Sequence, residues 1–336
     1  MANLAWAERI GRRLKLRDLH VFFAVVETGS MAKAARRLAV SQPVVSQAIA
    51  ELEHTLGVRL VDRGRRGTEP TAYGRALLTH GHAAFDALRQ GVKAIEFLSD
   101  PTAGELRIGC PEWITADLLP LIIDHMSRRH PRLTFHIQQT IPANLEFREL
   151  RQRAVDLVIG RIPIPFAEPD LQEQILYHEQ LAVVTGARNP LAKRRNIDLA
   201  ELVDERWILT PQNELPGSLV RDAFRAKGLR APDPTVSAFS IQLRNQLLAT
   251  GRYVSVVPRS LLRRSGRHLS FKALPVELPI PPRPVAIVTL KDRTVTPVTG
   301  LFVDCAREIT RSWQDARRSY GHRPASARRP EEAGRL

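Results

Sequence analysis

The hydrophobic pattern near the N-terminus has the period of short amphipathic helices packed together. Apolar residues recur at helical spacing in three stretches, over 16–27, 31–38 and 41–57. Ser30 and Ser41 stand where side chains cap the second and third helices, and Gly57 stands where the third ends. The pattern therefore predicts a three-helix unit in which a tight turn at Ala39 and Val40 joins the last two helices.

The chain then changes to a short extended segment and returns to a long helix. A strand over 58–61 precedes a loop rich in glycine and arginine, RGRRG, at 63–67, and Thr71 is placed to cap a helix over 72–98. A heptad seam runs along this helix through Tyr73, Leu77, His80, Ala84, Ala87, Gly91, Ala94 and Leu98. Two copies could pack closely along that seam. The alternative is a single helix lying on its own domain.

Strands alternate with helices beyond a breaker cluster at 100–104. We predict strands over 105–110, 133–139, 155–160, 181–186, 206–210, 235–239, 253–258 and 284–290. Helices are predicted near 116–130, 143–153, 218–228, 240–250 and 297–313. This alternation predicts two α/β lobes with parallel-type sheets. The tail over 316–336 is polar and rich in arginine and proline, so we expect it to be disordered.

Composition narrows the class of protein further. The 336 residues are 43% hydrophobic and 25% charged, which is typical of a globular protein of two or three domains. A net charge of +15 favours a polyanionic partner, and nucleic acid is the commonest one. Two cysteines are too few for a disulfide framework or a cysteine-rich metal site. Because there is neither a long apolar run nor a signal-peptide core, we expect a cytoplasmic protein.

The second and third helices have the chemistry that the major groove of DNA requires. Gln42, Pro43, Ser46 and Gln47 lie opposite the apolar face of the third helix, where they could contact base edges. The arginine-rich loop would contact phosphates or the minor groove, as a wing does. The predicted DNA-binding residues are Ser30, Lys33, Ser41, Gln42, Pro43, Ser46, Gln47, Arg63, Arg65 and Arg66. The alternative, a plain three-helix packing unit, gives this polar face no role.

The run SMAKAARRLAVSQPVVSQAIAELEHTLGVRLVDRGRRGTEPTAYG resembles the signature segment of LysR-type transcriptional regulators. The resemblance places the base-contacting helix on 42–49 and the wing arginines on Arg63 and Arg66. Gln47 stands where many members have arginine, which changes the expected operator bases, and Val61 stands where many have phenylalanine. The resemblance implies a homodimer or homotetramer on double-stranded promoter DNA, a small-molecule effector, and RNA polymerase as a further partner.

The remainder of the chain resembles the rest of the same family. It implies an α/β protein with an all-α N-terminal part: a winged helix-turn-helix domain (14–71), a long linker and dimerisation helix (72–100), and a two-lobed periplasmic-binding-protein-like effector domain (101–315). On this mapping lobe I is 105–172 plus 275–313, and lobe II is 173–274. The pieces RNPLA, DERWIL, SLVRDAFRAKGL and LLATGRYVSVVP resemble a LysR subgroup that includes regulators of sugar and aromatic-acid uptake genes.

Positions at the carboxyl ends of the strands supply candidate effector contacts, because ligands of α/β sheets bind beyond those ends. The candidates are Trp113, Ile114, Thr115, Thr140, Asn144, Arg161, Thr210, Gln212, Ser218 and Phe239. Backbone N–H groups at a strand-to-helix junction favour an anion, and Arg161 could pair with a carboxylate, so an anionic or sugar-like effector is expected. For each residue a structural role, as a helix cap or an ion pair, stays open.

Two other classes of function compete with a regulator. An enzyme is disfavoured because the sequence has no metal-ligand spacing, phosphate-binding glycine loop or nucleophile elbow, so we expect no catalytic residue, metal or cofactor. A nonspecific architectural DNA-binding protein would explain the charge. That alternative gives no reason for a cleft-forming α/β half.

Overall fold

The computed structural model describes residues 13–64, 67–140, 147–211, 214, 216–265 and 270–315. The predicted sites Arg65, Arg66, Asn144 and Gln212, and the tail expected to be disordered, lie outside these residues. The chain divides into two compact units, with the boundary after Gly91. No helix in the described part is long and apolar enough to cross a membrane.

The first unit contains the predicted helices and a two-stranded wing. Its elements are α1 (Leu16–Thr28), α2 (Met31–Arg37), α3 (Gln42–Leu56), β1 (Val61–Gly64), β2 (Gly67–Pro70) and the greater part of α4 (Ala72–Ser99). α1, α2 and α3 enclose a core that includes Phe22, Ala34 and Ile49, all fully buried. The two alanines predicted between the helices, Ala34 and Ala35, are buried there and let the helix axes approach closely.

The helix ends follow the capping residues, with one exception. Gly29 and Gly57 adopt the left-handed conformation, with φ of 64° and 72°, and end α1 and α3. The Ser30 side chain accepts a hydrogen bond from the Lys33 N–H, as a cap should. Ser41 occupies the N-cap position of α3, but its side chain makes no capping bond, so the predicted cap is wrong in that detail.

The wing begins later than predicted because a side chain holds the segment that precedes it. Glu53 Oε1 accepts the backbone N–H groups of Leu60 and Val61 at 2.7 and 3.2 Å. The first strand therefore starts at Val61 instead of covering 58–61. It pairs with β2 in antiparallel register, Val61 opposite Pro70.

The second unit consists of two α/β lobes. Lobe I is built from β3 (Ala103–Cys110), α5 (Glu112–Thr115), α6 (Leu118–Arg129), β4 (Arg132–Gln139), α7 (Arg148–Arg151), β5 (Leu157–Arg161), β6 (Leu171–Glu179), β12 (Arg283–Leu290) and α11 (Pro297–Asp315). Lobe II is built from β7 (Leu181–Gly186), β8 (Trp207–Leu209), α8 (Gly217–Ala226), β9 (Pro234–Ser237), α9 (Ile241–Ala249), β10 (Val254–Pro258), α10 (Arg259–Ser265) and β11 (Phe271–Ala273). Two short 3₁₀ helices, Pro190–Lys193 and Leu199–Leu202, join β7 to β8.

The two sheets are mixed, which corrects the prediction of parallel-type sheets. The strand order is β4-β3-β5-β12-β6 in lobe I and β11-β7-β10-β8-β9 in lobe II. β3 is parallel to β4 and β5, whereas β12 is antiparallel to β5 and β6. In lobe II, β8 is parallel to β9 and β10, whereas β7 is antiparallel to β10 and β11. The antiparallel strands are those that carry the chain between lobes.

The predicted lobe boundaries need correction at both crossings. The boundary at 172/173 falls inside β6, which pairs with β12 from Leu171 opposite Leu290 to Glu179 opposite Arg283. The first crossing is therefore at Gln180. The return was expected at 275, but Val276 and Leu278 still pack against the core of lobe II. The chain thus re-enters lobe I only as β12 begins.

Candidate DNA-binding surface and effector cleft

The exposed edge of α3 is the candidate DNA-binding surface. Gln42, Pro43 and Gln47 are exposed, whereas Val45 and Ile49 on the opposite face are fully buried. This is the sidedness that the sequence predicts. The edge lies at the N-terminal end of α3, where the partial positive charge of the helix dipole favours a phosphate backbone.

Two of the predicted residues on this surface already make contacts within the unit. The Ser46 hydroxyl is half-buried and donates to the Met31 sulfur at 3.4 Å, so it also ties α3 to α2. The Gln47 side-chain amide donates to Glu51 Oε1 at 3.1 Å, which fixes the amide on the outer face. Lys33 at the start of α2 and Arg63 in β1 are exposed cations of the same unit.

The second unit contains a cleft between its lobes. Lobe I contributes Pro111, Glu112, Trp113, Gln139, Thr140 and Arg161, and lobe II contributes residues from β7, β8, β10, the start of α9 and the segment that precedes α8. Because the parallel strands of both sheets end at this cleft, the cleft lies where ligands of open α/β sheets bind.

Arg161 is the most unusual group in the cleft. The residue is only 7% exposed, its guanidinium lies 4.6 Å over the Trp113 ring, and its Nη2 atom has no hydrogen-bond partner within the part of the chain that the structure describes. Burial lowers the pKa of Arg161, and the negative charge of Glu179 opposes that shift. A guanidinium nevertheless stays protonated at neutral pH, so the cleft contains a buried cation for which the described residues supply no hydrogen-bonded counter-ion.

Glu179 is the carboxylate whose charge acts most strongly on Arg161, but its hydrogen bonds are made to backbone N–H groups. Its Oε1 accepts the N–H groups of Gln180 and Ser260, at the point where the chain crosses between lobes. Burial raises the pKa of Glu179, although the bond to Ser260 and the charge of Arg161 oppose the rise.

A second arginine, Arg244 in α9, also lines the cleft but has a carboxylate close to it. Burial lowers the pKa of Arg244 to about 10, and the charge of Glu112 opposes that shift. Glu112 Oε2 accepts the backbone N–H of Ile241 at 2.9 Å, so a lobe I carboxylate occupies the N-terminus of a lobe II helix. Glu112 and Arg244 were not among the predicted effector residues, because neither spacing nor periodicity separates them from other charged residues of short helices.

Five predicted effector residues line the cleft: Trp113, Thr140, Arg161, Thr210 and Phe239. Thr210 is also structural, because its hydroxyl oxygen accepts the Gly217 N–H at 2.8 Å.

Three other predicted effector residues do not line the cleft. Ile114 is fully buried in the core of lobe I, beneath the junction of β3 and α5. The Thr115 hydroxyl donates to the Glu112 carbonyl at 2.6 Å, and Ser218 lies within the first turn of α8. The sequence predicted that Trp113, Ile114 and Thr115 lie between β3 and the next helix, whereas they belong to the short helix α5, in which consecutive residues point in different directions.

Neither metal nor thiol chemistry is indicated in the described part of the chain. No group of three His, Cys, Asp or Glu residues there could hold a metal ion. Cys110 and Cys305 are buried free thiols, and burial raises their pKa values to about 12 and about 11. Thiols with raised pKa values are poor nucleophiles at neutral pH.

The two units match two family models that belong together. Residues 16–75 match the bacterial regulatory helix-turn-helix proteins of the lysR family, and residues 99–311 match the LysR substrate binding domain. The chain therefore belongs to the LysR family. It is a DNA-binding transcriptional regulator with an effector domain, as the sequence predicted.

Individual relatives are similar to this chain over most of their length. The chain is 31% identical to the HTH-type transcriptional regulator GbpR of Azospirillum brasilense over 85% of this chain and 83% of GbpR. It is 27% identical to the HTH-type regulator YdcI of Escherichia coli (strain K12), over 88% of this chain and 96% of YdcI. A full-length OxyR variant from Pseudomonas aeruginosa shares the fold, with a TM-score of 0.62 at 24% identity over 87% of this chain and 97% of OxyR.

Proposed function

We propose that this regulator recognises its operator through the exposed edge of α3 and responds to a small anion bound between its effector lobes. The carrying observation for the DNA-binding part is the sidedness of α3. Gln42, Pro43 and Gln47 are exposed at one edge, while the opposite face is fully buried. Glutamine amides can bond adenine edges, and the proline ring can contact a thymine methyl group. Lys33, Arg63, Arg65 and Arg66 would bind phosphates.

The effector part of the proposal is supported by Arg161. A buried cation that lines a cleft and finds no hydrogen-bond partner for Nη2 among the described residues is costly unless an anion binds to it. A ligand carboxylate would supply two parallel hydrogen bonds to the guanidinium. Anion binding would change the lobe arrangement only as far as its affinity differs between arrangements. This favours an anionic effector over a neutral sugar-like one.

The regulator would act in the cytoplasm as a homodimer, or as a tetramer of paired dimers, and influence RNA polymerase at the promoter. The recognition helices of a dimer on pseudo-palindromic DNA lie one helical turn apart, related by a two-fold axis. The exposed apolar side chains along α4, among them Leu88 and Ile95, support pairing of two such helices.

A competition experiment tests the DNA-binding proposal against nonspecific architectural binding. A labelled fragment from the regulator's own promoter region is displaced by unlabelled copies of itself or by random DNA of equal length, at one fixed salt concentration. Specific recognition predicts that the promoter fragment competes about a thousandfold better or more. Equal competition by both DNAs would refute sequence-specific recognition by α3.

A further inference from the structure

The effector cleft contains two buried arginines, Arg161 from lobe I and Arg244 from lobe II. Among the described residues, neither Arg161 Nη2 nor Arg244 Nε has a hydrogen-bond partner. The charge of Glu179 acts on Arg161, and the charge of Glu112 acts on Arg244. Of these two glutamates, only Glu112 is among the residues that line the cleft, so a ligand carboxylate at Arg244 would face a negative charge that a carboxylate at Arg161 would not.

The second anion position of the cleft is already occupied by the protein. Glu112 places one carboxylate oxygen on the Ile241 N–H, the first N–H group of α9, and its charge interacts with Arg244. A helix N-terminus together with a nearby guanidinium favours the binding of a carboxylate. Glu112 is the internal substitute for that carboxylate.

The remaining wall of the cleft is largely apolar. Besides the Trp113 ring it includes the side chains of Leu181, Ile208, Val256 and Phe239. A ligand whose single carboxylate pairs with Arg161 would place a hydrocarbon body against this wall. A second carboxylate directed at Arg244 would meet the negative charge of Glu112.

We propose that Glu112 is a specificity-determining residue that restricts the effector cleft to monocarboxylates with an apolar body and excludes dicarboxylates. The inference rests on the proposed anionic effector and adds its charge class. The Glu112→Gln variant removes the excluding charge, while its amide oxygen still accepts the Ile241 N–H. Arg244 and the start of α9 then become available to a second ligand carboxylate.

Binding of matched acids to the full-length regulator tests this assignment. The probes are straight-chain pairs of equal carbon number, from butyrate and succinate up to octanoate and suberate, and dissociation constants are measured by calorimetry with thermal shift as a second readout. In the wild type, the monocarboxylates that bind best should have higher affinities than the dicarboxylates of equal carbon number. Glu112→Gln should shift the ratio of the two affinities by about tenfold or more in favour of the dicarboxylate, which is the size of one hydrogen bond to a charged group.

Two control variants separate the possible outcomes. Glu173→Gln, an exposed glutamate in β6, should leave the ratio unchanged, and Arg161→Met should abolish binding of both acids. A wild-type preference for dicarboxylates, or a ratio that Glu112→Gln leaves unchanged, overturns the role of Glu112 but not the anionic effector. Failure of every acid to bind, or full binding to Arg161→Met, overturns both.

Discussion

Asp156 is a buried carboxylate on which three cations of the second unit converge. Its carboxylate accepts hydrogen bonds from Arg293 Nη2 at 2.7 Å and Arg107 Nη2 at 2.8 Å, and Lys93 Nζ lies 3.6 Å away. Burial raises the pKa of Asp156, but the bonds from Arg107 outweigh burial and hold it below its usual range. Because Lys93 belongs to α4 and Arg107 to β3, this cluster fixes the end of the linker helix to lobe I.

Asp156→Asn should destabilise the second unit by about 3 kcal/mol at neutral pH, because it leaves buried cations without their counter-charge. A lowered folded-state pKa means that the stabilisation is complete above the unfolded pKa, near 4, and is lost as pH falls through the folded value. Urea unfolding should show the difference from the wild type narrowing at low pH. The exposed Asp204→Asn is the control. A difference that stays constant with pH would contradict the role of the Asp156 charge.

The burial of Cys110 and Cys305 leads to a second prediction. Cys110 and Cys305 are buried and their pKa values are raised, to about 12 and about 11, so neither should be a reactive thiolate. Labelling of the folded protein with Ellman's reagent at mildly alkaline pH should be slow for both thiols, and denaturant should make both react at once. Rapid labelling of either thiol in the folded protein would show that it is accessible and activated.

Glycine spacing controls how the linker helix packs in the first unit. A Cβ on Gly74 would lie 2.1 Å from the Leu60 carbonyl oxygen, and one on Gly81 would lie 2.7 Å from the ring of Phe23. Thr71 fixes the same junction, since its hydroxyl donates to the Arg59 carbonyl and accepts the Gly74 N–H. The Leu60 carbonyl can therefore approach the start of α4 this closely only because residue 74 is a glycine.

Gly74→Ala should destabilise the first unit by about 2 kcal/mol or more, because a backbone carbonyl cannot move aside as a side chain can. Gly81→Ala should cost less, since the Phe23 ring can shift. Gly300→Ala, in α11 where an added Cβ meets nothing within 4 Å, should be neutral or stabilising. Thermal unfolding of the three variants measures the order. An equal effect of Gly74→Ala and Gly300→Ala would contradict the close packing.

The elements that sequence analysis predicted are those whose hydrophobic period is regular. The fully buried strands β5, β7 and β10 are continuous β-branched or apolar runs and were predicted within two residues. β6, LQEQILYHE, was missed because it is an edge strand whose polar residues, among them the exposed Gln172 and Glu173, interrupt the hydrophobic pattern. β2, GTEP, was missed because glycine and proline indicate a turn.

The candidate sites divide in the same way. The exposed edge of α3 could be predicted, because Gln42 and Gln47 stand out against an apolar face and within a known motif. The charge arrangement of the cleft could not, because Glu112 and Ile241 are far apart in sequence and meet only when the two lobes fold. Arg161 was found because it follows a buried strand directly.

At the scale of the whole molecule, α4 is the expected place for subunit pairing. Its large exposed apolar side chains are Tyr73 near its start and Leu88, Val92, Ile95 and Leu98 in its second half. The seam predicted from sequence included Leu98 but also Ala94, which is half-buried in the single chain. The exposed stripe is therefore rotated by about one residue from the predicted seam over this stretch.

Ile95→Glu should convert the regulator to monomers without unfolding it, because glutamate suits an exposed helix position. Loss of pairing should weaken binding to an operator with two half-sites by about a hundredfold, while binding to one half-site stays the same. Sedimentation equilibrium and DNA titration measure both effects. Ile164→Glu, which changes another exposed isoleucine, is the control. A dimeric Ile95→Glu variant would exclude this face as the contact.

An energetic cycle between protein and DNA tests whether the exposed edge of α3 contacts base pairs. Operators with each base pair substituted in turn are titrated with the wild type, Gln42→Ala and the control His54→Ala, which changes the far end of the same helix. If Gln42 contacts a base, there should be one base pair at which the wild type discriminates by about 1–3 kcal/mol and Gln42→Ala does not. A substitution profile that Gln42→Ala leaves unchanged at every position would show that Gln42 contacts no base.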